Sequence, residues 1–199
     1  MMFDQALMGR PSWLDLPGTT PRELSVDRWQ ADADDGDSVL LDACAGPTLD
    51  VGCGPGRLVT ALLSRGVRAL GVDVSKEAVR RTTARGGIAV RRSVFDQLPG
   101  EGRWQHVLLA DGNIGIGGDP EALLRRVRQL LLPSGTVVVE VEQPGSGLTT
   151  GRVRVRTGGA NSSWFEWAWS DADSLTADGF FLLWQRERAG RWFACWEKL

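Results

Sequence analysis

The sequence predicts an α/β fold in three layers: a mostly parallel seven-stranded sheet between helices, with an antiparallel C-terminal strand and an inserted hairpin. Three observations carry that expectation. From Thr48 to Glu142 short apolar runs alternate with amphipathic ones, and strands separated by helices pair in parallel, with the helices covering both faces. The first of these strands runs straight into Gly52-Cys53-Gly54-Pro55-Gly56 and then a helix, so the chain turns sharply at the sheet edge. Beyond Pro144-Gly145-Ser146-Gly147 the apolar period falls to two, the mark of antiparallel strands.

Residues 1–46 form a polar lead-in broken by Pro11, Pro17 and Pro21, partly helical from about Asp32 to Cys44. It either covers one edge of the domain or serves as a lid with Trp13 as its apolar anchor. The core, 47–142, opens with the strand Thr48 to Val51. A helix from Arg57 to Arg65 carries Leu58, Val59, Ala61, Leu62 and Leu63 as a stripe and closes at Gly66, where a C′ glycine is expected. Val67 to Val74 is the second strand, Ser75 caps a helix from Lys76 to Arg85, and Ile88 to Arg92 is the third strand. After Pro99-Gly100 comes the fourth strand, Trp104 to Ala110, and a second glycine-rich loop, Asp111 to Gly118. Asp119-Pro120-Glu121 joins an N-cap, a proline at N1 and an acidic first turn, and starts a helix that runs to about Leu131. Pro133-Ser134-Gly135 then leads into the fifth strand, Thr136 to Glu142. Residues 143–170 hold the hairpin, Gly151 to Thr157 and Ser163 to Ser170. In 171–199 a short helix, Asp171 to Asp178, precedes an antiparallel pair, Phe180 to Arg188 and Arg191 to Glu197.

With 199 residues and 42% hydrophobic content, the chain suits one domain with a full core. A formal charge of -2 argues against a nucleic-acid binder that works through a strongly basic surface. Cys44, Cys53 and Cys195 are odd in number and widely spaced, which indicates neither a disulfide framework nor a metal site and suits a reducing cytoplasm. No apolar run approaches a membrane span, and the first ten residues lack the pattern of a secretory leader. Small-molecule partners are expected, with no nucleic acid and no membrane; a homodimer is left open.

A strand, a glycine loop, a helix and an acid ~20 residues further on also describe the dinucleotide-binding fold. Counted from Gly52, however, the G-x-G-x-x-G fingerprint puts its third glycine on Arg57. Asp50, Asp73 and Asp111 fall at or near the carboxyl ends of parallel strands, where such folds bind ligands; three carboxylates repel a pyrophosphate and suit a cation. Leu49-Asp50-Val51-Gly52-Cys53-Gly54-Pro55-Gly56 resembles motif I of the class I S-adenosylmethionine-dependent methyltransferases, an acid and one apolar residue followed by G-x-G-x-G. The likeness covers roughly Leu49 to Glu142. It implies a Rossmann-like fold, S-adenosyl-L-methionine as cofactor and S-adenosyl-L-homocysteine as product.

The resemblance also implies roles. Gly52, Gly54 and Gly56, with Cys53 among them in the cofactor-binding loop, give the cofactor a close approach to the backbone; Asp50 meets the methionine ammonium or braces the loop; Asp73, with Val74, receives the ribose hydroxyls or is a plain loop acid. Ser93-Val94-Phe95 is similar to the adenine-contacting stretch, with the Val94 amide toward a ring nitrogen and Phe95 either covering the ring or filling core. Ser93 stands where many members have Asp, so Asp96 is the alternative partner for the adenine amino group. Ala110, Asp111 and Asn113 occupy the place where the family lines its methyl-transfer site. Asp111 and Asn113 either orient the reacting groups as catalytic residues or shape the turn before Asp119.

Outside the motifs, His106 lies near the amino end of its strand and reads as structural, and Cys53 reads as a small loop residue. Glu140 or Glu142 is a base or an exposed acid. Arg152, Arg154 and Arg156 share a face that either receives an anionic group or charges an edge strand. Phe165, Trp167 and Trp169 share another, as packing or as a wall for a flat substrate. The expected function is methyl transfer to oxygen, nitrogen or carbon of a small molecule, an in-line displacement in which the protein aligns the reactants and excludes water. A non-catalytic module binding the same cofactor is the runner-up, and a nicotinamide oxidoreductase comes third.

Overall fold

A computed structural model describes residues 3–199. The lead-in holds Asp4–Leu7 (α1), Ser12–Asp15 (β1), Arg22–Glu23 (β2), Val26–Gln30 (α2) and Ser38–Asp42 (α3). The core follows with Thr48–Val51 (β3), Arg57–Ser64 (α4), Ala69–Asp73 (β4), Lys76–Ala84 (α5), Ala89–Arg91 (β5) and Trp104–Leu109 (β6). A 3-10 segment, Asn113–Gly118, then precedes Pro120–Leu130 (α6) and Leu131–Val141 (β7). Leu148–Thr157 (β8), Ala160–Asn161 (β9), Phe165–Ser170 (β10), Phe180–Arg188 (β11) and Arg191–Lys198 (β12) complete the chain.

The main sheet has seven strands in the order β11-β12-β7-β6-β3-β4-β5. β7, β6, β3, β4 and β5 pair in parallel, and β12 runs antiparallel to both its neighbours. Alternation along the strands sorts the core into two layers. Val107, Leu109, Val137 and Val139 pack with Leu123, Leu124, Val127 and Leu130 of α6. Leu108, Val138 and Phe193 pack on the other face with Leu40, Leu41, Leu58, Val59 and Leu62. Both faces are dry, as a parallel sheet requires. Helix starts follow their caps: Ser75 Oγ accepts from the amides of Glu77 and Ala78, and Asp119 Oδ1 accepts from Ala122 N at 2.9 Å.

Four features depart from expectation. The lead-in contains strands: β1 pairs antiparallel with β8, so lead-in and insertion together form a second sheet, β10-β8-β1-β2, with β9 against β8. β8 is therefore not an edge strand. Arg154 and Arg156 both bind Asp15 on its outer face, and Arg152 reaches Glu166, so these arginines neither charge an edge nor await an anion. Trp13 is not the inward anchor, because its ring lies under Arg156 at 5.0 Å while Leu14, the next residue, points into the interface. Finally, 171–178 is not helical: the Asp171 carboxylate accepts from Gly147 N and Ser174 N, both at 2.9 Å, and bends the chain into turns. No helix among the described residues is long and apolar enough to cross a membrane.

Candidate active site

A cavity of about 680 Å³ lies where the carboxyl ends of β3, β4, β6 and β7 face the second sheet. The glycine loop forms its floor. Gly52 and Gly56 have φ of 72° and 86°, and a Cβ on either would come within 2.6 Å of Asn113 or Thr82. Those two side chains hold the loop: Asn113 Nδ2 donates to Val51 O (2.9 Å) and Gly52 O (3.1 Å), and Thr82 Oγ1 donates to Gly54 O (2.9 Å).

Asp73, at the end of β4, accepts from Gly54 N at 3.1 Å and from Ser75 N at 2.8 Å. Burial raises its pKa despite those two bonds. Asp50 sits on β3 with 2% of its surface exposed and lines the cavity. No described residue donates a hydrogen bond to its carboxylate. Burial pushes its pKa up to about 7, against the pull of the Arg57 charge and with the push of Asp111 and Asp73.

Beside Asp50 stands an ion network that the sequence did not announce, of which Arg28, Arg57, Asp111 and Glu140 line the cavity. Arg57, the first residue of α4 and 4% exposed, donates to Asp37 through Nε (2.6 Å) and to Asp111 through a terminal nitrogen (2.7 Å). Arg28 of α2 adds 2.8 Å to Asp111, and Arg191 binds Asp37 (2.9 Å) and Glu140 (2.7 Å). Burial opposes the charge on Asp37 and Asp111, but the arginine bonds and charges win and hold both carboxyls below their usual range. Glu140 also accepts from Asp111 N at 2.6 Å, fixing a backbone with φ of 54°. The carboxylates of Asp111 and Glu140 and the amide of Asn113 are thus engaged by protein.

Val74, Ser93, Val94, Phe95 and Ala110 all line the cavity. Phe95 is 47% exposed, so it covers space rather than filling core. Asp96 is not at the cavity; its carboxylate accepts from Ser93 N at 3.1 Å and caps that turn. His106 is away from the site, its Nε2 accepting from Ala45 N (3.2 Å) and its Nδ1 bonded to Thr136 Oγ1 (2.8 Å). Cys53 lines the floor, and burial raises its thiol well above the ordinary range, which disarms it as a nucleophile. Opposite the floor, Phe165, Trp167 and Trp169 of β10 and Leu14 of β1 make the roof.

Residues 48–135 match the family model of a methyltransferase domain. An S-adenosylmethionine-dependent methyltransferase from Bacteroides fragilis, solved with S-adenosyl-L-homocysteine, superposes with a TM-score of 0.80 at 20% identity, covering 99% of this chain and 94% of that one. The CcbJ methyltransferase of Streptomyces caelestis gives 0.61 at 19% identity over 86% of this chain and 95% of its own. The 1,6-didemethyltoxoflavin-N1-methyltransferase of Burkholderia thailandensis gives 0.59 at 21% over 82% and 76%. At these identities the structures establish the fold. Among curated proteins, an uncharacterised protein of Mycobacterium tuberculosis is 32% identical over 100 residues, which are 50% of this chain and 33% of that protein. The alignment thus spans about a third of the curated relatives it matches. The matched segment begins at β3 and takes in the glycine loop, Asp50, Asp73 and Asp111, and the chain shares its fold with S-adenosylmethionine-dependent methyltransferases.

Proposed function

We propose that the chain transfers the methyl group of S-adenosylmethionine to oxygen, nitrogen or carbon of a small-molecule acceptor. The observation that carries this reading is Asp50, a buried carboxylate without a hydrogen-bond donor that faces a cavity. Such a group is costly unless a cation meets it, and the ammonium of the cofactor is that cation. The rest of the floor fits the same molecule. Asp73 keeps lone pairs for the ribose hydroxyls beyond the two amides it already accepts. The Gly52–Gly54 backbone admits the methionine portion, and Ser93, Val94 and Phe95 bound the space for adenine.

Bound there, the cofactor supplies an electrophilic methyl on a sulfonium. The protein's own work is alignment and exclusion of water. The roof supplies exclusion, with Trp167 and Trp169 only 7% and 8% exposed. Asp111 and Asn113 work as positioning residues, Asp111 by gathering Arg28 and Arg57 and Asn113 by holding the carbonyls of Val51 and Gly52. The S-adenosyl-L-homocysteine complex of the Bacteroides protein and the 1,6-didemethyltoxoflavin bound to the Burkholderia enzyme support cofactor and acceptor class by analogy. Three buried free thiols support a reducing, cytoplasmic setting.

Calorimetric titration with S-adenosylmethionine and S-adenosylhomocysteine tests the reading. Wild type is expected to bind both, and Asp73→Ala to lose affinity by about tenfold or more, the worth of hydrogen bonds to a charged acceptor. Folded wild-type protein that binds neither ligand refutes it.

A further inference from the structure

The side of the cavity lined by the second sheet and the end of β7 carries a surplus of carboxylates. Glu23, Glu142 and Glu166 line it against Arg22, while the deeper Arg28 is engaged by Asp111 at 2.8 Å and lies 3.8 Å from Glu140. Among the described residues Glu166 pairs with Arg152 alone, across 3.5 Å and with both side chains more than half exposed. The inner face of β10 adds Phe165, Trp167 and Trp169.

One cation already sits in this setting. The Arg22 guanidinium lies 4.8 Å from the centre of the Trp169 ring and donates to Glu142 Oε1 at 2.7 Å. Its side chain is 52% exposed and hangs from a two-residue strand, so it is lightly held. An aromatic face and a carboxylate together are the surroundings that attract a positive group out of water. An anionic acceptor would instead meet Glu23, Glu142 and Glu166 beside Trp169, with Arg22 bound to Glu142, Arg28 engaged by Asp111, and Arg92 next to Ser93 on the floor side.

Resting on the methyltransferase reading, the geometry points to an apolar amine as the acceptor, its ammonium displacing Arg22 from between Trp169 and Glu142 and its hydrocarbon body lying against Phe165 and Trp167. Glu142 is 32% exposed, so it can take the proton that the ammonium must lose before its nitrogen reacts and pass it to water.

Ligand-observed NMR with benzylammonium, benzyl alcohol and benzoate, without cofactor, tests this on wild type, Arg22→Gln and Glu142→Gln, all checked for folding by circular dichroism. Benzylammonium is expected to bind in preference to the other two. Loss of the carboxylate in Glu142→Gln weakens it by about tenfold, and removal of the resident cation in Arg22→Gln tightens it by roughly threefold. Preference for benzoate, equal binding of the alcohol, weaker benzylammonium binding in Arg22→Gln, or no benzylammonium binding to any of the three proteins overturns the amine assignment. The S-adenosylhomocysteine titration is read separately: if it fails, the methyltransferase reading falls, whereas the amine probes report on the acceptor half by themselves.

Discussion

Arg57 lines the cavity and holds its elements together. Its guanidinium joins Asp37, buried in the lead-in, to Asp111, half-buried just beyond β6. Replacing it by methionine leaves Asp37 to Arg191 and Asp111 to Arg28, with the central guanidinium gone, and a loss of about 3 kcal/mol in unfolding free energy is expected from urea denaturation. Asp50 makes a different prediction. Its pKa is raised to about 7, so in the free protein the neutral acid is favoured between the ordinary carboxylate value and that point, and this group costs stability as pH rises through the window. A cationic guest needs the ionised form. Affinity for S-adenosylhomocysteine is therefore expected to climb up to about pH 7 and level off above, and Asp50→Asn to flatten the profile, by calorimetry at several pH values. Asp50 and Asp73 were legible because strand ends and a glycine loop mark them in the sequence. Arg57 was not, because its partners come from 20 residues before it and 54 after, a distance over which no local pattern runs.

Among the elements, those read from caps were placed within a few residues. α5 and α6 begin where Ser75 and Asp119 bind the first free amides. Ser75 does more than cap, since its hydroxyl also binds Asp4 Oδ1 at 2.7 Å and so ties α1 to the cofactor side of the sheet. Ser75→Ala should cost ~1 kcal/mol for the cap, with additional loosening of α1 visible as faster amide exchange there, whereas Asp119→Ala should cost ~1 kcal/mol and leave α1 unchanged. The misread stretch, 171–178, shows the limit of the same signals. Asp and Ser serve turns as readily as caps. What decided for Asp171 was the amide of Gly147, 24 residues earlier, which drew its carboxylate away from starting a helix.

At the scale of the molecule, two sheets divide the labour, the parallel one building the floor of the cavity and the smaller one its roof. Leu14, Val153, Val155, Trp167 and Trp169 form the roof's own apolar cluster. Leu14→Asp buries a charge in that cluster, and amides in 148–170 are expected to exchange more than about tenfold faster while β3 and β6 keep their protection. Uniform loss of protection in both sheets would show that roof and floor unfold as one. The floor was legible because each βαβ step is local and periodic. The roof was not, because β1 and β8 meet across the whole core and neither strand names the other.

That long reach bears on how the chain comes off the ribosome. Asp15 and its partner Arg154 are separated by 139 positions, so at roughly 5–20 residues per second the lead-in strand waits on the order of ten seconds for the strand that completes it. Throughout that interval β3 to β7 can emerge and pair, each beside a neighbour already made, while β1 offers a bare edge and Leu14 has no cover. A nascent chain therefore presents a finished cofactor floor before it has any chamber. The exposed lead-in is the segment a chaperone would meet first.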